Sequence, residues 1–535
     1  MKNTSLSHPE LPPLQIPQSY NVAADLLSRQ LQAGRGDEIA VHAGDRTWTY
    51  RQIAELVDRA GNALLALGLA PEQRVLIVLP DSPELVAAYL GTMKAGGVAV
   101  PCNSFLGPAE YAYFLRESRA PIVVTTAELW PKVAPGLVDR PAARILIVGA
   151  ADEVPGDSRL LSWSRATAAA AAELQAADTH RDEPAFWLWT SGSTGEPKAA
   201  VHLHQDWPWC CHLYAQGVLG LTAGDRTFSA SKLFHAYGLG NGLLFPFWVG
   251  AATVLYPARP TPQALFETIH RTRPTVFFGI PTLYAAMLGS PDGAKADGIY
   301  DLSSLRFCVS AGEPLAGELF RQWRARYGTE ILDGIGSTEV LHIYISRRLG
   351  MGKPGSTGTP VPGYDVRIVD EDGRPLGPGE VGDLVVRGPS TAIAYWNRRE
   401  QTKAKMRGEW FASGDKYTQD EDGYFWYAGR TDDMFKVGGE WVSPIELEYV
   451  LVEHEAVLEC AVVPYRDGGV LKPKAVVVLQ WGRTGDEVLA EELRAFVRER
   501  TAHYKCPRRI EFVTELPKTA AGKIQRFKLR DAAQG

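Results

Sequence analysis

The sequence predicts an α/β protein: a large N-terminal domain of α/β layers with a β-rich subdomain, and a small mobile C-terminal α+β domain. Residues 37–110 alternate between short apolar runs typical of strands and longer helical runs, which predicts helices packed on a largely parallel sheet. After about residue 355, turns rich in Gly and Pro separate short alternating strands, which indicates the β-rich part. A second βα pattern begins near residue 433, and about 100 residues suffice for an independent domain.

These patterns predict an N-terminal domain at 1–431, with its β-rich subdomain at about 355–431, and a C-terminal domain at 432–535. Strands are predicted at 38–42, 74–79, 122–125, 144–148, 252–255, 275–279, 305–310, 365–369, 383–387, 457–464, 474–479 and 509–513. Helices are predicted at 50–67, 82–94, 444–453 and 486–500. The alanine-rich run 166–177 is predicted to be a surface helix.

The composition is that of an ordinary globular protein of more than one domain. The chain has 535 residues, 45% hydrophobic and 22% charged, with a net charge of −6. The chain has no global basic excess that would suggest nucleic acid and no basic tail that would suggest an anionic membrane. No signal peptide and no apolar run long enough to span a bilayer is recognisable, which favours the cytoplasm. The six cysteines form no CxxC pair and are expected to be buried apolar residues.

The strongest local motif is a loop that follows the apolar strand at 185–189. It reads Thr-Ser-Gly-Ser-Thr-Gly-Glu-Pro-Lys, from Thr190 to Lys198. Glycines allow backbone N–H groups to approach phosphates, hydroxyl groups add donors, and a lysine adds positive charge. The spacing differs from the G-x-x-x-x-G-K-[ST] loop. The motif therefore predicts a phosphate-binding loop of another type.

This loop resembles the phosphate-binding motif of the adenylate-forming superfamily, which comprises acyl-CoA synthetases, adenylation domains and luciferases. Further segments resemble the other motifs of that family, in the same order: 333–339, 413–415, 429–433 and 517–523. The resemblance extends from about residue 20 to the end of the chain. It implies a ligase that uses ATP, Mg²⁺ and coenzyme A.

The resemblance also implies roles for individual residues. Glu339 would bind Mg²⁺, which prefers hard oxygen ligands and takes the rest from phosphates and water. Thr338 would lie near the α-phosphate, and Asp415 and Arg430 near the ribose. The full set of implied nucleotide and CoA contacts is Thr190, Ser191, Gly192, Ser193, Thr194, Gly195, Lys198, Gly312, Glu313, Asp333, Gly334, Asp415, Arg430, Gly438 and Gly439.

Two residues near the C-terminus would control the two half-reactions. By composition Lys523 is a mobile surface lysine, but the resemblance implies that it is the catalytic lysine of adenylation. A cation between the carboxylate and the α-phosphate would stabilise the charge of that transition state. Asp432 lies at the implied hinge, where a few residues absorb the backbone rotation between adenylation and thiol attack.

The acid site resembles that of the benzoate-CoA ligase group within the segment 233–242 and at His342. The implied ring contacts are Ala236, Tyr237, Gly334, Ile335, Gly336 and His342. His235, counted among the catalytic residues, would lie near the carboxylate, where relatives carry phenylalanine. This difference favours benzoate with a polar substituent, such as 2-aminobenzoate or a hydroxybenzoate, while a medium-chain or alicyclic acid is not excluded.

The predicted reaction forms an aryl-AMP and pyrophosphate, and then an aryl-CoA thioester and AMP. The chain ends soon after Lys523 and carries no phosphopantetheine attachment segment, which favours free CoA as the acceptor. An alternative is an enzyme that loads the aryl group on a separate carrier protein. A homodimer is also left open. An ATP-binding regulatory protein is disfavoured, since the lysines and carboxylates of the motifs are present. His202, His204 and His212 are expected to be packed or solvated rather than metal ligands.

Overall fold

The computed structural model describes residues 11–149, 157–190, 196–290, 300–431, 433–437, 440–467, 470–518, 524–526 and 528–530. Within these residues the helices are α1 (Val22–Gln32), α2 (Tyr50–Ala66), α3 (Pro83–Lys94), α4 (Pro108–Ser118), α5 (Trp130–Val133), α6 (Trp163–Ala169), α7 (Asp206–Cys210), α8 (Ala236–Leu239), α9 (Phe245–Val249), α10 (Pro262–Thr272), α11 (Pro281–Gly289), α12 (Gly317–Tyr327), α13 (Arg399–Lys405), α14 (Pro444–Val452) and α15 (Glu487–Arg500). Turns of π-helix follow α7 at Cys211–Gln216 and α8 at Gly240–Leu244.

The strands of the same residues are β1 (Ile39–Ala43), β2 (Arg46–Thr49), β3 (Arg74–Val78), β4 (Val98–Pro101), β5 (Ile122–Thr126), β6 (Arg144–Val148), β7 (Leu160–Ser162), β8 (Pro184–Thr190), β9 (Lys198–Leu203), β10 (Arg226–Ser229), β11 (Ala252–Leu255), β12 (Val276–Gly279), β13 (Phe307–Ser310), β14 (Ile331–Gly336), β15 (Ile343–Ser346), β16 (Thr359–Pro360), β17 (Asp365–Val369), β18 (Gly382–Arg387), β19 (Ala394–Tyr395), β20 (Met406–Arg407), β21 (Trp410–Gln419), β22 (Phe425–Arg430), β23 (Phe435–Val437), β24 (Glu440–Val442), β25 (Val457–Asp467), β26 (Val470–Leu479) and β27 (Arg509–Val513).

Two large sheets with parallel centres form the N-terminal part. One has the strand order β16-β15-β14-β13-β12-β10-β11-β1-β2, and the other has the order β19-β9-β8-β4-β3-β5-β6-β7. The first sheet is antiparallel at both edges, at β15 and β16 on one side and at β2 on the other, and the second sheet is antiparallel at β9 and β19. Apolar residues of both sheets and of α2 and α3 share one large core cluster. The candidate site lies at the edge that contains β15 and β16 and at the edge that contains β9 and β19.

Local sequence accounts for the helices that cover these sheets. Thr49 caps α2 in a capping box with Gln52, and Ile53, Val57 and Leu64 form the buried face of that helix. The helix packs closely against α3, where a Cβ at Gly91 would lie 2.8 Å from the backbone oxygen of Val57. A larger residue at this position would separate the two helices.

The remaining sheets are smaller and follow in sequence. Strands β17, β18, β20, β21 and β22 form an antiparallel five-stranded sheet. Strands β25, β26 and β27 form a three-stranded sheet that packs with α14 and α15 around a separate apolar cluster. The fold class predicted from the sequence is therefore confirmed, and every predicted strand and helix except the alanine-rich run has its counterpart within a few residues.

The prediction for the alanine-rich run was wrong. Helix α6 begins earlier, at Trp163, and ends at Ala169, after which the chain is irregular up to residue 179. The carbonyl groups released there bind side chains of α2, because Arg59 donates to Ala170 and Asn62 donates to Ala171 and Glu173. These tertiary hydrogen bonds outweigh the helix propensity of alanine, which is a small term.

The described residues contain no disulfide. All six cysteines are buried and unbonded, as the sequence predicts. No helix in the described part of the chain is both long and apolar enough to cross a bilayer.

Candidate active site

A cavity of about 1480 Å³ lies between the two large sheets, the five-stranded sheet and the C-terminal part. The predicted residues that line it are Thr190, Lys198, Gly312, Glu313, Asp333, Gly334, Ile335, Gly336, Thr338, Glu339, Asp415 and Arg430. Residues of the C-terminal part, among them Tyr449 and Arg526, line the opposite side. The structure thus brings together motifs that lie up to 240 positions apart in the sequence.

The phosphate-loop motif lies on the hairpin between β8 and β9. Thr190 ends β8 and pairs with Lys198, which begins β9. Residues 191–195 of the motif lie outside the described residues. The Lys198 side chain is 9% exposed, and its Nζ lies 4.8 Å from the ring centroid of Tyr395. A buried ammonium group over an aromatic face is stabilised by a cation–π interaction while it faces the cavity.

Glu339 lies in a 3₁₀ turn, Thr338–Val340, directly after β14. The residue is 8% exposed, and Oε1 accepts a hydrogen bond of 2.6 Å from the hydroxyl group of Tyr395. Burial and the nearby Glu339 charge raise the pKa of Tyr395 far above its usual value, so the phenol stays protonated and donates. A single fixed carboxylate fits Mg²⁺, which commonly takes its other ligands from phosphates and water.

The predicted ribose segment is a pair of neighbouring strands. Asp415 on β21 lies opposite Arg430 on β22, and Nη1 of Arg430 donates to Oδ1 of Asp415 over 3.0 Å. Asp415 is 8% exposed, and its backbone N–H donates to Ser413. The arginine therefore holds a carboxylate at the cavity wall, where it can accept hydrogen bonds from two adjacent hydroxyl groups.

Asp333 and Glu313 supply two further carboxyl groups near the carboxyl ends of β13 and β14. Burial raises the pKa of Asp333 well above its usual value, and the charge of Arg347 partly opposes this shift. Glu313 follows Gly312, whose φ of +89° is in the left-handed region, and accepts a hydrogen bond of 3.1 Å from the backbone of Thr282. Both side chains line the cavity.

The predicted ring contacts fall into two groups. Among the described residues, Gly334, Ile335 and Gly336 line the cavity, whereas Ala236, Tyr237 and His342 are not among its lining residues, and Ala236 and Tyr237 belong to the large apolar core cluster. Gly336 of the first group lies directly against the backbone of His342 in the second, because a Cβ at Gly336 would lie 2.6 Å from the carbonyl oxygen of His342. Only glycine permits this close approach of two backbone segments.

An aromatic cluster surrounds His342. Its ring lies 5.6 Å from Tyr237, 5.5 Å from Tyr214 and 4.5 Å from Phe245, measured between centroids. Burial lowers the pKa of His342 to about 3, so the imidazole is neutral at physiological pH. Nε2 lies 3.3 Å from the carbonyl oxygen of Tyr237, and a carbonyl can only accept, so Nε2 carries the hydrogen and Nδ1 remains an acceptor.

His235 precedes α8 and is half-buried, with its ring 4.6 Å from that of Phe234. It is not among the described residues that line the large cavity. Four other predicted residues, Asp432, Gly438, Gly439 and Lys523, lie outside the described residues. Their assigned roles stay predictions.

Sequence reasoning missed Tyr395, Lys405 and Tyr417, which also line the cavity. Tyr395 contacts both Lys198 and Glu339, yet it lies 56 positions from Glu339 on the short strand β19. No local spacing marks such a residue. His202 was expected to be packed or solvated, and it hydrogen-bonds the turn that carries Thr338.

The chain is similar to known proteins over nearly its whole length. The AMP-binding enzyme family matches residues 27–396, and the AMP-binding enzyme C-terminal domain matches residues 446–523. A benzoate–CoA ligase of Thauera aromatica is 47% identical over 531 residues, which is 98% of each chain.

Two solved structures are similar over nearly the whole chain. An anthranilate CoA ligase in complex with anthranoyl-AMP has a TM-score of 0.92 and 42% identity, covering 97% of this chain and 98% of that one. A benzoate CoA ligase from Burkholderia xenovorans has a TM-score of 0.88 and 45% identity, covering 96% of this chain and 100% of that one. The chain belongs to the AMP-binding enzyme family.

Proposed function

We propose that this AMP-forming aryl-CoA ligase takes benzoate or a small substituted benzoate, and that the cavity residues described above perform the adenylation step. The observation that carries the proposal is the convergence of Lys198, Glu339, Asp415 and Ile335 on one cavity. The similarity to a benzoate–CoA ligase over 98% of both chains supports an aromatic acid. ATP and the acid would first give an aryl-AMP and pyrophosphate, and coenzyme A would then displace AMP.

The residues of the chain would divide the adenylation work by charge. Lys198 would bind phosphate oxygens from the β9 side, and Asp415 would accept hydrogen bonds from the ribose hydroxyl groups. When bound, Mg²⁺ would neutralise phosphate charge. Glu339, held by Tyr395, would be its protein ligand, and Thr338 would contact the α-phosphate. Such fixed charges lower the barrier because they need no reorganisation in the transition state.

The mobile C-terminal part would supply the remaining groups. Lys523 would approach the α-phosphate during adenylation, and rotation about Asp432 would then open a path for the thiol past Gly438 and Gly439. We base these roles on the motifs of the sequence. Ile524 and Arg526, which follow Lys523 closely, line the cavity, and this position supports an approach of the lysine from that side.

The polarity around the ring site favours an acid with a hydrogen-bond donor on its ring. Nδ1 of His342 is buried and has no hydrogen-bond partner among the described residues. An unpaired buried acceptor costs free energy, which a ring amino or hydroxyl group would recover by donating to it. This argument supports 2-aminobenzoate or a hydroxybenzoate over benzoate. The advantage is modest, because one added group in a mainly apolar pocket discriminates weakly.

The test is a substrate panel with both half-reactions measured. Pyrophosphate release and then CoA-thioester formation are followed for benzoate, 2-aminobenzoate, 2- and 4-hydroxybenzoate, cyclohexanecarboxylate and octanoate. We expect thioester formation from the aryl acids only. Pyrophosphate release without any CoA thioester would instead support loading of a separate carrier protein. Activity confined to octanoate would contradict the proposed acid site.

A further inference from the structure

His202 and Asp206 form a buried pair beside the turn that carries Thr338. Nδ1 of His202 lies 2.8 Å from Oδ2 of Asp206, and Nε2 lies 2.8 Å from the carbonyl oxygen of Thr338. His202 is 0% exposed and Asp206 is 1% exposed. The backbone N–H of Leu203 also donates to Oδ2 of Asp206, over 3.0 Å. The pair is therefore fixed on one side by its own strand and on the other by the turn.

The direction of the hydrogen bond to Thr338 follows from the chemistry of its two atoms. A carbonyl oxygen can only accept, so Nε2 of His202 carries a hydrogen and donates it. Asp206 contacts the other ring nitrogen, which fixes the rotation of the ring about its Cβ–Cγ bond. The ring also stacks on Phe186, with centroids 5.1 Å apart and planes inclined by 11°. The imidazole thus has one orientation, with Nε2 directed at the turn.

The strand that carries His202 also carries Lys198. Alternate residues of a strand point to the same face, so Lys198, Ala200 and His202 share one face of β9. Ala200 pairs with Tyr395, whose hydroxyl group donates to Glu339. One face of β9 and its neighbour β19 therefore contact the turn at two successive residues, through His202 at Thr338 and through Tyr395 at Glu339.

The turn needs such contacts because its backbone is strained. Leu341, at its end, has a φ of +71°, which is unfavourable for a residue with a branched side chain. The next two carbonyl groups are also bound, since Glu339 accepts from the backbone of Ala392 and Val340 accepts from Ser390. Of these three hydrogen bonds to carbonyl groups of the turn, only the one from His202 joins the turn to β9, the strand that carries Lys198.

We propose that His202, oriented by Asp206, is a positioning residue for adenylation. It holds Thr338 and Glu339 at a fixed distance from Lys198, so that the three groups match one bound triphosphate. This inference rests on the proposed function of the cavity. Without the hydrogen bond, the turn can move relative to β9, and a displacement of about 1 Å in such a site costs up to roughly a hundredfold in rate.

The first experiment compares His202→Leu with His204→Leu. His204 is a matched control, because it is equally buried and its Nδ1 accepts from the backbone of Val22, away from the turn. Acid-dependent exchange of pyrophosphate into ATP measures adenylation, and CoA-thioester formation from supplied aryl-AMP measures the second step. We expect His202→Leu to lower kcat/KM for MgATP about 10- to 100-fold. In His202→Leu, the KM for the acid and the rate of the second half-reaction should each change less than threefold. The same changes are expected in His204→Leu.

A conservative variant separates positioning from packing. The amide of His202→Gln can still donate to the Thr338 carbonyl, so this variant should recover most of the adenylation lost in His202→Leu. If His202→Leu does not fold, Asp206→Asn keeps the ring and the volume. It should still weaken adenylation roughly tenfold, the scale typical of partners that orient a histidine.

Three outcomes would overturn the inference. They are adenylation by folded His202→Leu equal to that of His204→Leu, equal loss of both half-reactions, and unchanged adenylation in Asp206→Asn. Failure of the proposed function is distinguishable, because then the unmodified protein would show no exchange with any aryl acid. The inference is judged on the variants only after that exchange has been measured.

Discussion

Replacement of Tyr395 by phenylalanine tests the assignment of Glu339 as the Mg²⁺ ligand. The substitution removes one hydroxyl group and keeps the ring over which Lys198 lies. Oε1 of Glu339 then loses its 2.6 Å hydrogen bond in a site where the residue is 8% exposed. Little water can replace the lost donor, so the carboxylate either turns away from the metal position or stays there unsatisfied.

The size of the effect follows from the charge on the acceptor. A hydrogen bond to a charged group contributes about 1.5–3 kcal/mol net. Since about 1.4 kcal/mol corresponds to a factor of ten, the loss predicts roughly a 10- to 150-fold weaker response to Mg²⁺. The pyrophosphate-exchange rate is measured against free Mg²⁺ at saturating ATP and acid. We expect the half-saturating Mg²⁺ concentration to rise by that factor.

The control is Tyr111→Phe, which also removes a buried hydroxyl group. Tyr111 is 0% exposed and donates to the carbonyl oxygen of Asn103 over 3.0 Å, and it does not line the cavity among the described residues. This variant should lose a similar amount of stability without a change in Mg²⁺ dependence. If Tyr395→Phe and Tyr111→Phe have the same Mg²⁺ dependence as the unmodified protein, the role of Glu339 as its ligand is refuted.

Three further predictions follow from the same site. Lys523→Ala should lower pyrophosphate exchange by roughly a hundredfold or more and affect thioester formation from supplied aryl-AMP less, and unimpaired exchange would contradict the role of the lysine. Asp432→Pro fixes φ, so it should spare adenylation and slow the CoA step, whereas equal loss of both steps would argue against a hinge. Burial lowers the pKa of His342 to about 3, so below about pH 6.5 the unfolded chain binds a proton that the folded chain does not, and stability falls as pH decreases towards 3. As the pH decreases, the free energy of unfolding, measured in urea, should therefore fall less steeply in His342→Asn than in the unmodified protein. The two slopes should differ by up to about 1.4 kcal/mol per pH unit, and parallel pH profiles would refute the lowered pKa.

Much of the fold was predictable because its signals are local. The strand β3 is a short apolar run, α3 begins at a Ser82 N-cap followed by Pro83, and both agree with the structure within a residue. The run after Ala169 shows the limit of local reasoning. Its irregular conformation depends on Arg59 and Asn62, which lie more than 100 positions away.

The candidate site was predictable where a motif is continuous in the sequence. The order of the segments that contain Lys198, Glu339 and Asp415 indicated one nucleotide site, and the structure places the three side chains on one cavity. The ring contacts were inferred from the resemblance alone and stay predictions. His342 lies against Gly336 and contacts Tyr237 in an aromatic cluster, and no spacing in the sequence reveals these contacts.

The sequence by itself determined the α/β class, the order of the motifs and the chemical type of each polar group, because these depend on neighbouring residues. The tertiary structure alone decided which groups support the catalytic ones. Tyr395 meets Glu339 and His202 meets Thr338 only because the turn after β14 of one sheet packs against β9 and β19 of the other. Contacts between residues 56 and 136 positions apart arise from the packing of the sheets, and no local pattern records them.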